Sequence, residues 1–140
     1  MTQKAYLAMG CFWGPDEYFS KLKGVVGTRV GYSGGKYKTP TYHVLGGNSE
    51  TIEIEFDPSL VSFSQILEHF FLEHEPCVPQ DDRYRSAIFY LNDDQKKEAE
   101  KAKEKFEEKL GKKVLTSIEP FGKFTLAEEY HQKYFQKNRR

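Results

Sequence analysis

"TIEIEFDP", residues 51–58, is the stretch from which the fold is read. Ile52, Ile54 and Phe56 alternate with Glu53 and Glu55, so each set falls on its own face of a β-strand. The pattern predicts a half-buried strand, apolar side inward and glutamates outward, stopped by Asp57-Pro58. Strands wet on one face belong to antiparallel or mixed sheets rather than to parallel sheets buried on both sides.

Working outward, AYLAMG (5–10) reads as a short buried strand. A helix is expected next, with Gly14 as N-cap, Pro15 at the first position, Asp16 and Glu17 in the first turn and Gly24 past its end. GVVGTRVGYSGG (24–35) is a second strand with a glycine-rich end, and KYKTPTYHVLGGN (36–48) is a loop. Ser62 with Gln65 is a capping box. It opens a helix whose apolar face is Phe63, Ile66, Leu67, Phe70 and Phe71, blocked by Pro76. YRSAIFYL (84–91) is a strand. Asn92 or Asp93 caps a long helix that ends at Gly111, and its charge run is a solvated face. KVLTSIEP (113–120) is a last strand and LAEEYHQKYFQKN (126–138) a last helix. The order favours an α+β fold: a two-layer sandwich of a mixed, mainly antiparallel sheet with covering helices, ferredoxin-like. A single catalytic domain over residues 1–140 is expected.

Lys plus Arg and Asp plus Glu both number 21, so the formal charge is zero and a polyanion is not the expected main partner. The N-terminus lacks the apolar core of a secretory signal, and no run is long enough to cross a bilayer. Two cysteines are too few to staple a secreted scaffold. A cytoplasmic location with reduced thiols is expected. The four histidines and the distant cysteines show no zinc-ligand spacing, so no metal is expected. No phosphate loop or dinucleotide fingerprint is present.

Cys11 lies in GCFWGPD (10–16) at a strand-to-helix transition. A lone cysteine after a buried strand can be a small hydrophobe. A helix start, however, favours thiolate over thiol, and Gly10 and Gly14 leave the approach open. Without a CxxC motif it is not a thioredoxin-type centre. Phe12 and Trp13 suit either a core or a pocket wall that would hold a methyl group and exclude water. Glu50, beside Glu53 and Glu55, reads as an exposed strand-edge acid, and Tyr42 and Tyr84 as core or surface aromatics.

GCFWG resembles the signature of the methionine sulfoxide reductase A family. GYSGGKYKTPTYHVL (31–45), SETIEIEFDP (49–58), RYRSAIF (83–89) and EEYHQKYF (128–135) resemble further family segments in the same order. The resemblance implies that Cys11 attacks the sulfoxide sulfur and that Phe12 and Trp13 hold the methyl group. It also implies that Glu50 protonates the sulfoxide oxygen, which Tyr42 and Tyr84 bind. The S epimer, free or protein-bound, is the implied substrate. No cofactor is implied beyond an external thiol reductant, thioredoxin-like or glutaredoxin-like. Cys77 is the internal candidate to resolve Cys11, because the chain stops at Arg140 without a cysteine-bearing tail. PQDDR (79–83) replaces an Asp-led run, leaving Asp81 or Asp82 as supporting acids. His131 has either a supporting role or a packing one. Two rival readings are a thiol peroxidase and a non-catalytic sulfoxide-peptide binding module.

Overall fold

The computed structural model describes residues 1–138. The elements are β1 (Gln3–Met9), α1 (Trp13–Ser20), β2 (Val25–Ser33), β3 (Ser49–Phe56), α2 (Phe63–Leu72), β4 (Ser86–Tyr90), α3 (Asp93–Leu110), β5 (Ser117–Pro120), β6 (Phe124–Leu126), a 3-10 turn (Glu129–His131) and α4 (Tyr134–Lys137). The strands form one mixed sheet of six in the order β5-β4-β1-β3-β2-β6. β4 and β5 run parallel, and the other neighbouring pairs are antiparallel. This is a mixed α+β architecture.

The side-chain period of two sorts the sheet into faces. Ala5 faces Ile54 and Leu7 faces Ile52 across the β1–β3 ladder. Their common face is covered by Phe19 of α1, the apolar stripe of α2 and Ala99 of α3. Tyr6, Ala8, Ala87 and Phe89 face the other way, under Phe121 and Phe124. Gly31 has no side chain because the Phe124 ring crosses it; a Cβ there would lie 2.6 Å from that ring.

The local signals act as read in α2 and α3. Ser62 and Gln65 form both bonds of the capping box. The Asn92 side chain accepts from the Gln95 amide, and Gly111 ends α3 in the left-handed conformation at φ 65°.

Four expectations are corrected. The outer face of β3 is not wet: Glu53 is 5 % exposed. It accepts from the Tyr6 hydroxyl at 2.7 Å and from Arg29 Nε at 2.7 Å. Burial pushes its acidity toward the neutral form, but those two partners hold its carboxyl below the usual range. Second, α1 starts at Trp13, with Phe12 as N-cap and no side-chain cap. Asp16 is fully buried, facing Thr28 and Lys133 rather than solvent. Third, only Ser117–Pro120 of the last predicted strand is a strand. The residues before it are held by the Glu107 carboxylate on the Val114 amide and by Lys103 on the Thr116 carbonyl.

Fourth, the C-terminal helix is broken. Leu126 ends β6, and Lys133 adopts φ 54°. Tertiary bonds outweigh helix propensity there. The Gln132 side chain bonds the Val30 amide and carbonyl, each at 2.9 Å, and the Lys133 amide donates to Asp16. No helix among the described residues is long and apolar enough to cross a membrane.

Candidate active site

Gly10, at φ 94°, turns the chain from β1 toward α1 in a conformation that favours glycine. Cys11 stands in that turn, exposed and outside any disulfide. The Trp13 amide at the helix start hydrogen-bonds its sulfur and favours the thiolate. The balance nevertheless runs the other way. Surrounding protein strips water from the thiol and pushes it up, and the Glu50 charge adds to this; the Trp13 amide and Arg83 oppose them. The helix start therefore assists ionisation without securing it.

Glu50 is 1 % exposed. The alternation that sends Ile52 and Ile54 inward sends Glu50 inward too, to the helix-covered face. Its Oε1 accepts from the Phe12 amide at 3.1 Å, the N-cap donor that α1 leaves without a local partner. Arg83 Nη1 donates to Oε2 at 3.0 Å. Burial pushes the carboxyl up, and the Phe12 amide and Arg83 pull it part of the way back. The net push favours the protonated form, which can give its proton up to a bound oxygen.

An aromatic cluster built on Phe12 and Trp13 lies next to these groups in the chain. Phe12 is 1 % exposed and clusters with Val30, Tyr32, Leu45 and Ala127, against which Trp13 and Tyr42 pack. The indole of Trp13 stacks on Tyr134 at 3.6 Å between centroids and donates to His131 Nδ1 at 3.0 Å. His131 therefore accepts through Nδ1. Its ring lies 4.4 Å from that of Tyr42, and its Nε2 is buried without a protein partner. Burial lowers its pKa, so it sits in the wall as a neutral ring.

A cleft of about 260 Å³ opens beside Cys11, lined by Met9, His74, Glu75, Gln80, Tyr84 and Ser86 among others. Tyr84 thus shares a cavity with the cysteine. Tyr42 lies on the aromatic side, with its amide bonded to Glu128 at 3.0 Å. Cys77 is half-buried against the helix-side core, in the loop that supplies Glu75 and Gln80 to the cleft. Asp81 is exposed, and its Oδ1 accepts from the Tyr84 amide at 3.2 Å. Asp82 is also exposed and lines a different cavity, with Arg85 and Glu119.

Three groups escaped the sequence reading. Arg83 joins Glu50 to the Tyr42 carbonyl. Glu128 ties the Tyr32 hydroxyl, at 2.8 Å, to the Tyr42 amide. Tyr134 backs Trp13. Only Arg83 carried a usable signal, as a cation next to Tyr84 in sequence. Among the described residues, no group of three or more His, Cys, Asp and Glu side chains is placed to hold a metal ion.

Fold and site together define a class: a thiol centre with a buried carboxylic acid anchored to the next residue and an aromatic cluster alongside. A family model described as peptide methionine sulfoxide reductase matches residues 3–140. The peptide methionine sulfoxide reductase MsrA of Methanothermobacter thermautotrophicus is 41% identical over 150 residues, covering 99% of this chain and 89% of that protein. The structure of methionine sulfoxide reductase A of Corynebacterium diphtheriae superposes with a TM-score of 0.92 at 30% identity, covering 98% of this chain and 75% of that one. Mxr1 from Saccharomyces cerevisiae in complex with Trx2 superposes with a TM-score of 0.72 at 27% identity, covering 95% and 84%. The chain belongs to the peptide methionine sulfoxide reductase family.

Proposed function

We infer that this chain is a peptide-methionine (S)-S-oxide reductase, taking oxygen from methionine sulfoxide, free or in proteins, with electrons from an external thiol. The observation that carries the reading is the buried Glu50 carboxyl, fixed on the amide next to exposed Cys11. A sulfoxide oxygen leaves poorly unless it is protonated. Phe12 and Trp13 hold the methyl group, and Tyr42 and Tyr84 stabilise the oxygen as the bond polarises. Cys11 sulfur attacks, Glu50 delivers the proton, and the S–O bond breaks. Sulfide leaves with two added electrons, and Cys11 becomes a sulfenic acid two electrons more oxidised. A second thiol then forms a disulfide with release of water, and a dithiol reductant restores both cysteines. Cys77 takes that second role if its loop turns toward the cleft. A thioredoxin-like or glutaredoxin-like protein is the reductant, in keeping with the Trx2 complex of Mxr1. We read Asp81 as holding Tyr84 in place through its amide, and His131 as holding Trp13.

Residues 1–140 act as one catalytic domain that works in the cytoplasm, with no resident cofactor or metal. The order β4-β1-β3-β2, with α1 and α2 as crossovers, supports a ferredoxin-like two-layer core extended by β5 and β6. The test is to mix reduced protein with methionine sulfoxide in the absence of reductant and measure methionine per chain. One equivalent or more is expected, and none from Cys11→Ser. Methionine formed equally by Cys11→Ser refutes the reading.

A further inference from the structure

Arg83 contacts Glu50 and Tyr42 and lies beside Tyr84. Nη1 holds Glu50 Oε2 at 3.0 Å, and Nη2 donates to the Tyr42 carbonyl. The guanidinium carbon lies 4.7 Å from the Tyr42 ring centroid and 5.9 Å from that of Tyr84. The Arg83 carbonyl also accepts from the Glu50 amide at 2.9 Å. One residue thus clamps the acid from both its backbone and its side chain, and ties it to the segment that carries Tyr42. Its side chain is 25% exposed and that of Glu50 1%.

We propose that Arg83 is a positioning residue for oxygen transfer, its guanidinium bridging Glu50 to the Tyr42 segment and its fixed charge governing how many protons Cys11 and Glu50 carry together. This rests on Cys11 as nucleophile and Glu50 as acid. The pair reacts while holding one proton, which starts on either group and ends on the departing oxygen. With two protons the sulfur is a thiol and a poor nucleophile; with none there is no acid.

The other titratable groups around Arg83, Glu50 and the Tyr42 segment leave this count to the pair. Tyr84, from the same segment, and Tyr32, from β2, are pushed up by burial and stay phenols. Against burial, the Tyr42 amide and the Tyr32 hydroxyl hold Glu128 low, so it stays anionic. His131 is pushed down by burial and stays neutral, and His43 of the Tyr42 loop is exposed. Arg83 favours the anionic form of both Cys11 and Glu50. Removing its charge therefore moves both limits of the one-proton window upward.

The test compares Arg83→Gln, which keeps an amide donor without charge, with Arg83→Lys, which keeps the charge but cannot span Glu50 and the Tyr42 carbonyl. Single-turnover oxygen transfer is measured across pH, beside an ultraviolet thiolate titration of Cys11 in a Cys77→Ser background. For Arg83→Gln both limits and the thiolate transition are expected to rise by about one pH unit, within the effect of a nearby charge. Below the acid limit the rate then falls about tenfold, and above the alkaline limit it rises about tenfold. For Arg83→Lys the limits are expected to hold while the plateau rate falls. Unmoved limits in Arg83→Gln, with or without lost rate, overturn the proposal, as do moved limits in Arg83→Lys should the Gln variant not fold. Neither result touches the reading of Cys11 and Glu50, which fails instead if Cys11→Ser or Glu50→Gln retains full activity.

Discussion

Asp16 fastens the C-terminal segment to the start of α1, and Asp16→Ala should release it. Its carboxylate accepts from Thr28 Oγ1 at 2.6 Å, the Lys133 amide at 2.8 Å and Lys133 Nζ at 3.2 Å. The Asp16 side chain is fully buried and that of Lys133 33% exposed. Breaking a buried ion pair costs about 3–5 kcal/mol, and the low end, about 3 kcal/mol, applies because Lys133 can turn to water. At about 2.1 cal/mol/K per residue the unfolding entropy of the chain is about 0.3 kcal/mol/K, so the midpoint should fall by about 10 °C. Lys133 stands between His131 and Tyr134, which bind and back Trp13. Trp13 is the single tryptophan, so its emission reports this wall directly. The assay is thermal unfolding by circular dichroism beside native-state tryptophan fluorescence. The expected result is a lower midpoint, a changed native emission and a raised KM for sulfoxide. An unchanged midpoint, or a lowered one with native emission intact, would refute the idea that Asp16 holds the wall through Lys133.

Three more outcomes can be checked. Glu50→Gln should lower single-turnover oxygen transfer by about 10²–10⁴-fold, the range for general acid catalysis, and abolish the alkaline decline expected as the Cys11–Glu50 pair loses its last proton. Cys77→Ser should leave the first turnover intact and slow recycling, and normal steady-state turnover with a thioredoxin-type reductant would rule out the resolving role. His74 bonds the Phe70 carbonyl at 2.6 Å and Ser86 Oγ at 2.8 Å, and burial depresses its pKa. The unfolded chain takes up that proton first, so the stability this neutral ring contributes is lost as pH falls below about 6.5. His74→Gln should weaken that acid dependence in denaturant titrations, with His131 retaining part of it.

Local chemistry made much of this molecule readable from one dimension. The Ser62–Gln65 box, the Asn92 cap and the Gly111 stop act within a few residues of themselves, and each element they bound stands where the pattern put it. The turn at Gly10 likewise follows from a strand ending beside a glycine. The inward position of Glu50 went unread: counting by twos from Ile54 through Ile52 reaches it, but its acidic neighbours argued for an exposed edge, and the structure buries it.

What the sequence by itself determined is a mixed α+β chain with a cysteine in a strand-to-helix turn, because periodicity and caps act over a few residues. Only the tertiary structure decided what the Glu50 carboxylate meets. Phe12 lies 38 residues before it and Arg83 33 after it. It also decided that Glu53 is buried, that Asp82 faces a separate cavity and that the last helix breaks at Lys133 in favour of Asp16 and Val30. The physical reason is shared by Glu50, Glu53 and the break at Lys133. A charge or a backbone amide takes whatever partner lowers its desolvation cost, and that partner is chosen by the packing of distant segments.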